Sequence, residues 1–126
     1  MSEKHEEWLK QAAYDMDTAD AMFSSGRYFY AVFMCHLSIE KSLKGLYSKE
    51  LTEVPPKTHN LLYLLKKIQK KPDQDLQKFI TKLNTASVAT RYPDDLAKIQ
   101  AAYTEEITKE MIEKSKDVLK WVKKQF

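Results

Sequence analysis

Only two glycines, Gly26 and Gly45, occur in 126 residues, and they lie far apart. That excludes a glycine-rich loop able to cradle phosphates with consecutive backbone N–H groups. The single Cys35 excludes an internal disulfide and every zinc finger, and its neighbours Phe33, Met34 and Leu37 suggest a buried thiol in a reducing compartment. No stretch approaches the roughly 18 uncharged apolar residues of a membrane span, so no membrane partner is expected. The opening "MSEKHEEWLK" is charged from its third residue and lacks the apolar segment of an export signal, so the expected location is cytoplasmic. No segment alternates apolar and polar residues with period two, and no strand is placed.

The chain has the length of one domain, and its 43% hydrophobic content supplies a real core. The net charge of +3 is small because 21 basic and 18 acidic residues largely offset each other. Their distribution is uneven. Six acidic residues fall in the first twenty positions, whereas Lys66, Lys67, Lys70 and Lys71 form one basic group and Lys114, Lys116, Lys120, Lys123 and Lys124 another. Such groups are solvated faces near helix ends, or attract nucleic acid without specificity.

Helical periodicity runs through nearly the whole chain. Trp8, Ala12, Met16, Ala19 and Phe23 recur at spacings of three and four, marking an amphipathic helix from Ser2 to about Ser24, which "SSGR" ends. A second helix from about Tyr28 to Lys49 carries Ala31, Val32, Cys35, Ile39, Leu43 and Leu46 on one stripe. Its first half, "YFYAVFMC", is apolar on all sides and must be buried all round, centrally or against another subunit. "TEVPPKT" is a loop, with Thr58 the expected cap of a short third helix, "HNLLYLLKKIQKK". A fourth helix runs from near Asp73 to about Arg91. Residues 94–103 read as one helical turn or a loop. The last helix starts near Thr104 and bears Ile107, Met111, Val118, Leu119 and Val122, interrupted by Ser115. The expected fold is all-α, an up-and-down bundle of four long helices plus a short helix in a single domain.

The polar residues narrow the chemistry. A di-metal carboxylate bundle needs two Glu-x-x-His pairs and two more glutamates, and this chain has only His36 and Glu40, four apart. No serine stands in a nucleophile-elbow context. What remains is His36, Glu40 and Lys44, which share a helix face at i+4 spacing with Lys41 beside them, and His59 just past "PPKT". Glu40 and Lys44 make an ordinary exposed ion pair on one reading, and on the other the set meets an anion with His59 at a helix N-terminus, where capping or anchoring the loop is an equal role for His59.

The segments "YFYAVFMCHLSIEKSLKGLY", "PPKTHNLLYLL" and "TRYPDD", in this order and spacing over about residues 6 to 124, resemble the HEPN domain, a helical domain of higher eukaryotes and prokaryotes with proposed nucleotide binding. The resemblance implies a helical bundle, commonly a homodimer, often paired with a minimal nucleotidyltransferase in a toxin-antitoxin-like arrangement. Many relatives are metal-independent ribonucleases carrying an arginine followed four to six residues later by a histidine. Here no histidine follows Arg91, so the first reading is a nucleotide- or RNA-binding and assembly module, and the alternative is a metal-independent endoribonuclease. RNA cleavage through the 2′-hydroxyl needs a base and a group that stabilises the phosphorane, and Arg91 supplies only the second.

"TRYPDD" serves as a helix stop, since Arg91 complements the helix dipole and Pro93 prevents continuation. The resemblance adds a cleft where the Arg91 fork meets phosphate. Candidate phosphate or nucleotide ligands are thus Arg91, His59, Lys41, Lys44 and His36, with Tyr92 and Asp94 from the same corner. No metal or other cofactor is expected.

Overall fold

The breaks between helices fall where the apolar period fails and turn residues gather. In a computed structural model, which describes residues 2–126 and side chains from Lys4 onward, six helices follow one another: α1 (Ser2–Ser24), α2 (Tyr28–Leu51), α3 (Leu61–Ile68), α4 (Gln74–Arg91), α5 (Leu96–Ala102) and α6 (Glu105–Lys124). The bundle of four long helices is as expected. The undecided stretch before α6 is a second short helix, whose first turn is held by the Asp95 carboxylate accepting from the Lys98 N–H at 3.0 Å. Asp73 and Thr104 cap α4 and α6 in the same way, at 2.9 and 3.2 Å. Between α1 and α2, Gly26 takes φ +77°, a left-handed conformation that side chains disfavour.

Helix α2 is the central element, touching α1, α3, α4, α5 and α6. Its stripe of Ile39, Leu43 and Leu46 is fully buried, in one core with Leu61, Leu64, Ile80, Leu83, Val118 and Val122. The other glycine, Gly45, lets α1 come close: a Cβ there would stand 3.0 Å from the Trp8 Cβ and 3.2 Å from the His5 carbonyl oxygen. Such contact is tighter than packing allows, so the α1–α2 approach depends on the missing side chain. Among the described residues, no helix is long and apolar enough to cross a membrane.

Three expectations are corrected. The cap of α3 is Asn60, not Thr58; the Asn60 side chain accepts from the Tyr63 N–H, while the Thr58 hydroxyl accepts from the Asn60 N–H just ahead of the helix. Helix α3 is also shorter than the apolar pattern suggested, because Gln69 enters the left-handed region at φ 61° and closes it. On α6, Ser115 is fully buried and belongs to the inward stripe with Thr108 and Ile112, whereas Ile107 is exposed. A short hydroxyl fits where helices pack closely, which an apolar-only pattern overlooks. Neighbouring helices cover most of the apolar start of α2, including Phe29, Ala31, Val32 and Cys35; Tyr30 stays 48% exposed, and Phe33 and Met34 are partly buried.

Candidate functional site

A line of three polar side chains on α2 meets the loop before α3 and the end of α4. His36, Glu40 and Lys44 are all buried, so Glu40 and Lys44 are not the exposed pair that one reading of the sequence allowed. Charges removed from water need close partners, and these have them. Lys44 Nζ lies 3.1 Å from Glu40 Oε2. The other carboxylate oxygen, Oε1, lies 2.8 Å from His59 Nδ1, while His36 Nδ1 stands 3.8 Å away, beyond hydrogen-bond distance. His36 Nε2 is 2.9 Å from the His59 carbonyl oxygen and donates to it. The loop carrying His59 is thereby held at two points from one face of α2.

The third element is Arg91 in the last turn of α4. Its Nη1 is 3.3 Å from His59 Nε2, and its Cζ lies 4.8 Å from the centre of the Phe33 ring. This contact fixes the state of His59. A guanidinium can only donate, so Nε2 must accept, and the ring proton sits on Nδ1, where it donates to Glu40. His59 is neutral in this arrangement, oriented by a carboxylate behind it and presented on a side chain 59% exposed. His36 is neutral for a different reason: burial pulls it down to about 4, against the raising effect of Glu40. Arg91 Nη2 is buried and has no hydrogen-bond partner among the described residues. The guanidinium is thus under-coordinated, with one nitrogen on a neutral imidazole and another without an acceptor among the described residues.

The remaining candidates divide. Lys41, one position round the helix from Glu40, points to α1 and pairs with Asp15 at 2.9 Å. Lys44 is spent on Glu40 and lies 5.9 Å from the Trp8 ring. Tyr92 and Asp94 are exposed beyond the end of α4, and no hydrogen bond joins either to Glu40, His59 or Arg91. The α3 N-terminus is not the open anion site that the position of His59 suggested. Its Leu61 N–H donates to the Asn84 side chain at 2.8 Å and its Tyr63 N–H to Asn60 at 3.1 Å. Asn84 Nδ2 in turn donates to Asn60 Oδ1. Sequence reasoning missed this pair of asparagines, as well as the part of Glu40 in orienting His59. The signal for Glu40 was present as a carboxylate at helical spacing from His36 and Lys44 on an otherwise apolar helix.

Among the described residues, no group of three or more His, Cys, Asp or Glu side chains is gathered to hold a metal ion. What the cluster offers is an imidazole oriented by a carboxylate beside a permanent cation.

The family model described as HEPN domain matches residues 5–125. Two solved structures share the architecture over nearly their whole length. TT1696 from Thermus thermophilus is 23% identical, with 98% of each chain covered and a TM-score of 0.80. ST0689, described as an archaeal HEPN homologue, is 28% identical, with 96% of each chain covered and a TM-score of 0.76. No curated protein matches the chain. With the family model covering all but the extreme ends, and the same architecture in both solved structures, this chain belongs to the HEPN domain family.

Proposed function

We propose that this HEPN domain is a nucleotide- or RNA-binding and assembly module whose phosphate contact is the Arg91–His59 edge. The observation that carries the reading is the under-coordinated guanidinium beside an exposed imidazole. A phosphate oxygen at this edge gives Arg91 the charged acceptor it lacks, in a fork geometry that arginine suits better than lysine. A second copy of the chain is the natural cover for the exposed Tyr30 and for the partly buried Phe33, whose ring meets Arg91. A minimal nucleotidyltransferase is the proposed protein partner, in a toxin-antitoxin-like pair, on the strength of the family resemblance.

The test is a titration of wild type, Arg91→Ala and Arg91→Lys with labelled RNA and with ATP at two salt concentrations. Alanine should weaken binding by about 1.5–3 kcal/mol, and lysine should restore part of it. Affinity should fall as salt rises. Equal affinities for all three proteins would remove Arg91 from the site.

One observation favours the endoribonuclease alternative. Although no histidine follows Arg91 in sequence, the fold brings His59 to it, with Nε2 unprotonated and Glu40 behind Nδ1. That is the arrangement of a general base beside a phosphorane-stabilising cation. Cleavage of RNA in the presence of chelator, lost in His59→Gln and in Arg91→Ala, would establish it; intact RNA after prolonged incubation leaves the binding module.

A further inference from the structure

The cluster makes a demand on ligand binding that follows from its hydrogen-bond directions. Without a ligand, His59 Nε2 must keep its lone pair, because the group that meets it among the described residues is the donor Arg91 Nη1 at 3.3 Å. A phosphate oxygen is an acceptor too. For the imidazole to contact it, Nε2 must carry a proton, and Arg91 must turn its donors from the ring to the same anion. The charged and titratable groups that face the His59 ring are Glu40 and His36 from α2, with Lys44 behind Glu40, and Arg91 from α4. Glu40 is the only anion among them, and it sits on Nδ1 at 2.8 Å, where it stabilises the doubly protonated ring. His36 stays neutral through the working pH range and donates only to the loop carbonyl.

We infer that Glu40 is a positioning residue that holds His59 in its Nδ1–H tautomer and couples phosphate binding to the uptake of one proton at His59 Nε2. This rests on the Arg91–His59 edge being the phosphate site. The proton comes from solvent, no covalent bond changes, and the imidazolium formed lies between the Glu40 carboxylate and the bound anion. Binding is therefore strongest on the acid side and weakens as pH rises, because the complex holds one proton more than the free protein. The steepest slope for one coupled proton is about tenfold per pH unit.

The probe is 2′-O-methylated oligouridylate, which resists cleavage through the 2′-hydroxyl and whose phosphodiesters keep a constant charge between about pH 5.5 and 8.5. Calorimetric titrations in buffers of different ionisation enthalpy count the protons taken up. Wild type should show net uptake and an affinity that declines with pH, whereas His59→Gln should bind more weakly with no uptake and a flat pH profile. Nitrogen-detected histidine spectra of the free wild type should show His59 protonated at Nδ1. Glu40→Gln should mix the tautomers and reduce the uptake; should it fail to fold, the wild-type spectrum and proton count still decide. Binding by wild type with no uptake, or a His59 protonated at Nε2 in the free protein, overturns the coupling and leaves the phosphate site standing. No binding at any pH overturns both.

Discussion

Two lines of side chains run along α2 about 100° apart, and they treat burial in opposite ways. Cys35, Ile39, Leu43 and Leu46 form one, and they are fully buried in the apolar core. Its only titratable member is Cys35, whose thiol burial pushes up to about 12, so it stays neutral and inert. His36, Glu40 and Lys44 form the other. There the charge is kept, and partners are gathered around it from α2 itself, the loop before α3 and, through His59, the end of α4. Replacing a buried ion pair such as Glu40 and Lys44 by well-packed apolar side chains of similar size is often neutral for stability. Fold stability alone therefore does not account for the Glu40–Lys44 pair, and the exposed edge of the line at His59 and Arg91 is the proposed phosphate contact.

The most severe way to break the comparison is to remove one charge from the second line. Glu40→Ala leaves Lys44 buried without its anion and His59 without its acceptor, and it should cost about 3–5 kcal/mol in denaturant unfolding. Replacing the pair together, with Glu40→Leu and Lys44→Met, should recover most of that stability while weakening phosphate binding. A double variant as unstable as the single one would mean the pair is required for packing, and the contrast between the lines would collapse. Leu43→Ala on the apolar line should cost about 2–5 kcal/mol through the cavity it leaves, with binding per folded molecule unchanged.

Acid separates the lines next. His36 is lowered to about 4 in the folded chain against an ordinary value near 6.5, so the unfolded state binds the extra proton first. Stability contributed by neutral His36 is present above about pH 6.5 and is lost as pH falls towards 4, amounting to about 3 kcal/mol across that window. Thermal unfolding of wild type and His36→Gln from pH 7 to pH 4 checks it. The variant should start less stable and lose less over the window. Parallel curves would show that His36 does not titrate with unfolding.

Much of the first line was legible in the sequence, and little of the second. Ile39, Leu43 and Leu46 announce themselves by apolar spacing, and the caps Asp73 and Thr104 by their position before a helical run. Helical spacing also put His36, Glu40 and Lys44 on one face, but it is silent on whether that face meets water or α4. The pairing of Glu40 with His59, 19 residues apart, and of His59 with Arg91, 32 apart, depends on how the loop before α3 is folded back. That path is set by the Asn60–Asn84 contact and by His36 holding the His59 carbonyl, none of which has a periodic signature. Position next to a helix start suggested that His59 would use amide dipoles, whereas the asparagines had already taken those amides. Lys41 shows the converse, since a residue adjacent in sequence to Glu40 is turned away to Asp15 by the helical rotation.

The smallest effect on stability is expected where the charged line reaches solvent. Tyr92 follows Arg91 and is 73% exposed; its backbone N–H still closes the last turn of α4 on the Val88 carbonyl at 3.0 Å. Truncation removes a side chain that holds nothing, so Tyr92→Ala should change unfolding stability by less than about 0.5 kcal/mol. Binding is a separate matter. A ring exposed one residue past Arg91 would be available to stack on a base attached to a phosphate at the proposed site, an interaction worth about 1–3 kcal/mol per base. Tyr92→Ala should therefore weaken oligouridylate binding while leaving inorganic phosphate binding unchanged, and Tyr92→Phe should retain both because the stacking face survives. Titrating the three proteins with both ligands separates the outcomes. Equal loss for both ligands would mean that Tyr92 acts by positioning Arg91. No loss for either would end the site at the guanidinium, and the module would then recognise the phosphate and ignore the base.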